Sequence, residues 1–285
     1  MKKILITGST GYIGSYIVEE LIDKEFEILL THRDGSNFKN TMGFRDRVRW
    51  INTSKKGWIG NAIGFKPDII LHSAWEGVGR EDRDDIEVQK RNIGLAEELI
   101  HIARLSNTKT IIGLGSQAEY GYLDSVAKED MEAMPITAYG KTKLRVMNIF
   151  GEFGKERDIN WYWLRVFALY GGRQDETWLI PSLISKIKDK ETNYINLGSG
   201  EERFAYLDVR EAANYIRRVV ENPNKGSGIY NISGVGARSI REIVEDIRDE
   251  LRPDFELRFG MLSQRKTQSL WVEGCMSKFN RDFGY

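Results

Sequence analysis

Tyr139 and Lys143 stand four residues apart in Ala138-Tyr139-Gly140-Lys141-Thr142-Lys143, a stretch that reads as helix. At that spacing both side chains occupy one helix face, about a turn apart. A free phenol has a pKa of about 10 and is a poor proton donor at neutral pH, but a neighbouring ammonium stabilises phenolate and lowers that value. Ser116, just past the apolar run 110–114, supplies a hydroxyl that can hydrogen-bond a reacting oxygen beside Tyr139. Acid, tuner and orienting hydroxyl suit proton transfer at a carbonyl, and Lys143 is also placed to hold cofactor ribose hydroxyls. Taken alone, a Tyr and a Lys at this spacing read as an ordinary surface pair; the rest of the chain decides otherwise.

The frame for these groups begins at Thr7-Gly8-Ser9-Thr10-Gly11-Tyr12-Ile13-Gly14, directly behind the apolar run Ile4-Leu5-Ile6. Ile13, Ile17 and Leu21 then recur at one-turn spacing, so strand, glycine turn and helix meet here. Gly8 permits the tight turn, Gly11 lets the backbone approach a diphosphate, and Gly14 lets the helix pack near the strand. Free N–H groups of the first helical turn, with roughly half a positive charge from the macrodipole, face the phosphates. Apolar runs at 3–7, 27–31, 48–52, 68–73, 110–114 and 160–165 alternate with helical patterns at 11–24, 84–106 and 138–154. That alternation predicts a doubly wound parallel sheet of the Rossmann type, an α/β fold with helices on both faces. Gly171-Gly172 and the polar stretch to Thr177 mark a soft boundary between a dinucleotide-binding domain, 1–171, and a smaller α/β substrate lobe, 172–285, with interleaving of segments left open. Asp208 with Glu211 and Ser239 with Glu242 have capping-box spacing and start helices at Val209 and Ile240.

Bulk properties narrow the class. Lys+Arg and Asp+Glu both number 42, so no long-range field favours nucleic acid or an anionic membrane. Cys275 is the only cysteine, which excludes an intramolecular disulfide and a cysteine-cluster metal site. Three histidines without carboxylates at ligand spacing argue against a metal, and His72, ending a strand, reads as structural. Lys2-Lys3 precedes too short an apolar run for a signal peptide, and no stretch approaches a membrane span; a soluble cytoplasmic protein is expected.

In an open parallel sheet, ligands lie outside the carboxyl ends of the strands. The cofactor-binding residues expected there are Gly8, Thr10, Gly11, Tyr12, Ile13, Gly14, His32, Arg33, Ser73 and Ala74, with Tyr139 and Lys143. After the second strand, an NAD-selective domain presents an acid to the ribose 2′-OH; here stand His32 and Arg33. Arg33 suits a 2′-phosphate, which favours NADP(H). The alternative is a solvated Arg33 with Asp34 turned inward to serve NAD(H).

The chain resembles the extended short-chain dehydrogenases/reductases, the nucleotide-sugar epimerase, dehydratase and reductase group. The resemblance spans nearly the whole sequence. It rests on the glycine turn, on Asp68-Ile69-Ile70-Leu71-His72-Ser73-Ala74, on Asn92 in a long helix and on Gly115-Ser116-Gln117-Ala118-Glu119-Tyr120-Gly121. It continues through the stretch from Pro135 to Lys143, Leu164-Arg165-Val166-Phe167-Ala168-Leu169-Tyr170-Gly171 and Arg203-Phe204-Ala205-Tyr206-Leu207-Asp208. The resemblance implies that Ser116, Tyr139 and Lys143 are the catalytic residues, that Asn92 supports the cofactor site and that Arg203 holds the substrate diphosphate. It also implies a homodimer paired through the helices at 84–106 and 138–154. Trp75 and Trp178 read either as walls of the sugar pocket or as packing residues, and Gln117 lies beside the sugar.

Within that group the residues after the catalytic hydroxyl discriminate. The 4,6-dehydratases carry Asp-Glu there, decarboxylases a Glu at the second place, and epimerase-reductases a cysteine two residues on; this chain has Gln117-Ala118. Elimination of water needs a donor and a base beyond the tyrosine, so what remains is chemistry of one hydride and one proton. The expectation is an NADPH-dependent reductase of a nucleotide-linked 4-keto-6-deoxy sugar. Its alternatives are an NAD-dependent C4 epimerase and a non-catalytic NADP-sensing protein.

Overall fold

The computed structural model describes residues 1–79, 81–263 and 269–284. In chain order the strands and helices are β1 (Lys2–Thr7), α1 (Tyr12–Leu21), β2 (Phe26–His32), β3 (Arg49–Asn52), α2 (Trp58–Phe65), β4 (Ile69–His72) and α3 (Ile86–Ser106). There follow β5 (Thr110–Ser116), α4 (Ala138–Arg157), β6 (Asn160–Val166), β7 (Leu169–Tyr170), α5 (Leu179–Lys188), β8 (Tyr194–Asn196), β9 (Arg203–Phe204) and β10 (Leu207–Asp208). The chain ends with α6 (Val209–Glu221), β11 (Gly228–Ile232), β12 (Arg238–Ser239), α7 (Ile240–Leu251), β13 (Glu256–Arg258), β14 (Trp271–Val272) and α8 (Ser277–Phe283).

A seven-stranded sheet in the order β11-β6-β5-β4-β1-β2-β3 forms the centre, and all its pairings are parallel. The order reverses between β1 and β4, which places a crevice at the carboxyl ends of those strands. Successive residues of a strand serve opposite faces. Ile4 and Ile6 pack with Ile17 and Leu21 of α1 and Ile216 of α6, while Leu5 packs with Leu99 of α3 and Val146 and Phe150 of α4. Burial of both faces explains why the strand sequences read as continuous apolar runs.

The chain crosses the division at Gly171 more than once. Strand β11 returns to pair with β6, α6 packs on α1, and α8 packs on β11, so these segments belong to the central sheet layer. A separate core joins Leu183 and Ile187 of α5, Ile195 of β8, Ile240 and Val244 of α7 and Phe255. The two helix starts lie where the capping spacing puts them: Ser239 and Glu242 form a complete reciprocal box, whereas Asp208 caps α6 through the Arg210 N–H alone. Among the described residues no helix is long and apolar enough to cross a membrane, and no group of three His, Cys, Asp or Glu side chains is placed to hold a metal ion.

Candidate active site

At the end of β1 the chain turns through Gly8, whose φ of +76° lies in the left-handed region that disfavours a side chain. A Cβ on Gly8 would stand 2.4 Å from the Ala74 nitrogen, and one on Gly14 would stand 2.1 Å from the Gly8 carbonyl oxygen. Gly8 thus admits the segment after β4, and Gly14 admits the helix to the turn. Gly11 precedes α1 with no side-chain cap, leaving first-turn N–H groups without an intrahelical acceptor. The Tyr12 hydroxyl is buried and has no hydrogen-bond partner. Free N–H groups, an unused hydroxyl and a helix N-terminus fit a diphosphate. Thr10 lies in the same turn, its carbonyl accepting from the Asn40 amide at 3.4 Å.

At the end of β2, His32 packs edge-on against Phe38 and Trp50, so its ring is part of the local packing. Arg33 is exposed and pairs with Glu76 at 3.2 Å; Glu76 also receives two hydrogen bonds from Arg91, at 2.9 and 3.2 Å. Asp34 faces the other way. Asn52 donates to it at 2.7 Å and Lys55 at 3.4 Å, and these bonds, Asn52 first, hold its carboxyl below the usual range.

After β4, the backbone N–H of Ser73 donates to the Thr7 carbonyl at 3.3 Å and that of Ala74 to the Thr7 hydroxyl at 3.2 Å. Asn92 is buried, and its amide is committed to this segment: it accepts from the Glu76 N–H at 2.8 Å and donates to the Glu76 and Gln89 carbonyls. Its structural role is therefore to hold the loop that would line the cofactor. Gln89, which the sequence did not single out, receives the Trp75 indole N–H at 3.0 Å and donates to the Gly77 and Asp82 carbonyls. His72 is fully buried and contacts the Thr7 hydroxyl at 2.8 Å; burial, reinforced by the Lys143 charge, brings its pKa down to about 3.

Ser116, Tyr139 and Lys143 are all buried and come together at the ends of β5 and α4. The Ser116 hydroxyl is near enough to Tyr139 to favour its phenolate, and the Tyr139 ring meets the Trp75 indole edge-on with centroids 5.9 Å apart. The Ser116 hydroxyl also accepts from the Ala118 N–H at 3.2 Å. The electrostatics differ from expectation in one respect. The Lys143 ammonium donates to the Leu114 carbonyl at 2.7 Å and lies 3.5 Å from the Trp75 ring centre but 5.7 Å from that of Tyr139. Burial, countered by Glu119 and reinforced by the Arg83 charge, lowers the Lys143 pKa to about 7. Burial dominates at Tyr139 and raises its phenol; the cation that opposes this is Arg83, whose guanidinium carbon lies 4.4 Å from the ring centre.

Glu119 is the other residue that the motif reading left without a role. Fully buried, it accepts from the Ser116 N–H at 2.7 Å, from the Trp163 indole at 2.9 Å and from Arg165 at 2.8 Å. Its room comes from β5: a Cβ on Gly115 would stand 2.5 Å from the Glu119 carboxylate and 2.3 Å from the Trp163 indole nitrogen. Gln117 sits in the short turn between Ser116 and Glu119. Trp178 precedes α5 and is exposed, while Arg203 donates to the Ala237 carbonyl at 3.3 Å and faces Trp271. No hydrogen bond, ion pair or ring contact among the described residues joins either one to Ser116, Tyr139 or Lys143.

The sequence pattern of the NAD dependent epimerase/dehydratase family matches residues 4–233. The chain belongs to this family. Among its relatives in the family, a dTDP-6-deoxy-L-talose 4-dehydrogenase (NAD(+)) of Aggregatibacter actinomycetemcomitans is 24% identical, covering 95% of this chain and 99% of the relative. A CDP-abequose synthase of Salmonella muenchen is also 24% identical, over 93% of this chain and 86% of its own. The fold superposes on a UDP-N-acetylglucosamine 4-epimerase from Methanobrevibacter ruminantium in complex with UDP-N-acetylmuramic acid, with a TM-score of 0.87 and 22% identity, covering 100% of this chain and 92% of that one. The protein is thus a Rossmann-type enzyme of the NAD dependent epimerase/dehydratase family, whose named relatives modify nucleotide sugars.

Proposed function

We propose that this family member reduces a nucleotide-linked 4-keto-6-deoxy sugar with NADPH. The observation that carries the reading is the make-up of the turn after β5. Gln117 and Ala118 have no acid–base group, and Glu119 is committed to Ser116, Trp163 and Arg165. Tyr139 is left as the proton carrier, which suits a reaction of one hydride and one proton. The two relatives named a 4-dehydrogenase and an abequose synthase are in keeping with it.

The glycine turn and α1 would hold the cofactor diphosphate, the segment Ser73-Ala74 its central part and Lys143 its nicotinamide ribose. Bound there, NADPH supplies hydride to the sugar carbonyl carbon. Tyr139 gives its proton to the carbonyl oxygen as the C–O double bond becomes a single bond, and the Ser116 hydroxyl donates to the same oxygen while charge builds on it. Ketone, hydride and proton would thus balance to the alcohol, with NADP⁺ as the oxidised product. Arg33, exposed at the end of β2 while Asp34 faces Asn52 and Lys55, supports the choice of a 2′-phosphate. Trp75, Gln117, Trp178 and Arg203 are proposed for the nucleotide sugar, and the outer faces of α3 and α4 for pairing two copies.

The pairing of Arg33 with Glu76 favours a second reading, a C4 epimerase that retains NAD, because a cation already neutralised attracts a phosphate less. One assay separates the two: NADPH absorbance with CDP-, dTDP-, GDP- and UDP-linked 4-keto-6-deoxyhexoses. The reductase consumes NADPH, and Tyr139→Phe lowers that turnover by about 10²–10⁴-fold with cofactor binding kept. Purified protein carrying tightly held NAD, with no net consumption, supports the epimerase instead.

A further inference from the structure

A cation with no counter-ion among the described residues lies against the Tyr139 phenol. Arg83 belongs to the short turn Asp82–Asp84, and its guanidinium stacks over the Tyr139 ring at 4.4 Å. Its Nε is buried without a hydrogen-bond partner, and no carboxylate pairs with it among the described residues, although Asp82 and Asp84 flank it. The turn is fastened at both ends. Gln89 donates to the Asp82 carbonyl at 3.1 Å, and the Asp84 carboxylate accepts from the Ala138 N–H at 3.2 Å, at the first residue of the helix that carries Tyr139. Gln89 in turn holds Trp75, which lies over Lys143, so the guanidinium, indole, ammonium and phenol form one packed unit.

We propose that Arg83 is a positioning residue for the reaction: stacked on Tyr139, it supplies the permanent positive charge that makes the phenol ionisable. The ammonium of Lys143 donates to the Leu114 carbonyl and lies over the Trp75 face, farther from the Tyr139 ring centre, at 5.7 Å, than the Arg83 guanidinium. A guanidinium cannot lose its charge near neutral pH, whereas a buried amine can. The groups facing the Tyr139 hydroxyl and ring are Arg83 from the turn before α3, Ser116 and Glu119 from the turn after β5, Trp75 from the segment after β4 and Lys143 from α4 itself. Of these, Arg83 and the Ser116 hydroxyl favour phenolate, while burial and Glu119 oppose it. The inference rests on the reading of Tyr139 as the proton carrier.

The test is an ultraviolet tyrosinate titration of the whole protein, with the Tyr139 step isolated by subtracting the Tyr139→Phe curve. Arg83→Gln should raise the midpoint of that step by about one pH unit or more, and Arg83→Lys should recover at least part of the shift. In the alcohol-oxidising direction, the rising limb of kcat against pH should move the same way, with the KM for cofactor little changed. An unmoved midpoint in Arg83→Gln, no recovery in Arg83→Lys, or no Tyr139 ionisation in the wild type below about pH 11 overturns the inference. Failure of the underlying reading looks different: Tyr139→Phe would then turn over like wild type wherever the titration midpoints fall.

Discussion

The Glu119 carboxylate and the Arg165 guanidinium form an ion pair 2.8 Å apart, sealed from solvent, and the same carboxylate fixes the backbone N–H of Ser116. A buried pair of this kind gains little net stability over an apolar replacement, but removing one partner strands the other charge. Arg165 already has one guanidinium nitrogen without a partner. Glu119→Ala should therefore destabilise the protein by about 3–5 kcal/mol in urea unfolding, and Glu119→Leu combined with Arg165→Met should recover most of it. Turnover of the double variant should remain low because the Ser116 N–H has lost its acceptor. Equal stability of Glu119→Ala and wild type would show that the pair is solvated.

Cofactor choice is tested at Arg33. An exposed guanidinium meeting a 2′-phosphate makes charge-assisted hydrogen bonds absent with a free hydroxyl. Arg33→Ser should weaken NADPH binding by about tenfold or more and leave NADH within a factor of about two, as read by fluorescence titration. Equal losses for both cofactors would place Arg33 outside the 2′ site.

His72 gives the fold a defined acid sensitivity. Its native pKa of about 3 lies below the unfolded value of about 6.5, so below pH 6.5 the unfolded chain binds a proton that the native protein refuses. The resulting cost is absent above about pH 6.5 and grows as pH falls toward 3, by about 1.4 kcal/mol per unit. Stability measured by urea unfolding between about pH 7 and pH 4.5 should fall less steeply in His72→Gln. Parallel pH curves for the two proteins would assign the acid sensitivity elsewhere.

The glycine turn separates strain from obstruction. Gly8 and Gly236 have φ of +76° and +79°, but a Cβ would meet the Ala74 backbone at the first and nothing within 4 Å at the second. Gly236→Ala should cost about 1–2 kcal/mol and leave cofactor affinity intact. Gly8→Ala should cost more and, by displacing the segment after β4, weaken NADPH binding by at least about tenfold in calorimetry. Unchanged affinity in Gly8→Ala would separate this turn from the cofactor.

Much of this arrangement was legible in the sequence, for identifiable reasons. Strands β1, β2, β4, β5 and β6 are buried on both faces and so stand out as apolar runs, and the glycines of the first turn are required by backbone geometry. Strand β11 was not found: Gly228-Ile229-Tyr230-Asn231-Ile232 is short, and its place beside β6 is fixed by a contact distant in sequence. Arg83 sits in the charged run 81–85, which reads as a solvated surface until the fold lays it on Tyr139. Glu119 was visible within a motif, but its burial depends on Trp163 and Arg165, 44 and 46 residues away on β6. The expected ammonium–phenol pairing followed from helix periodicity alone. That spacing puts Lys143 on the right face but says nothing of the Leu114 carbonyl and Trp75 indole that engage it.

Following the hydride itself gives the sharpest check of the proposed reduction. With NADPH deuterated at the transferable C4 position of the nicotinamide and a nucleotide-linked 4-keto-6-deoxyhexose, one deuterium should appear at sugar C4 for each NADP⁺ formed, detected by proton NMR and mass spectrometry. A sugar product without deuterium, formed while the added NADPH stays unconsumed, would contradict it.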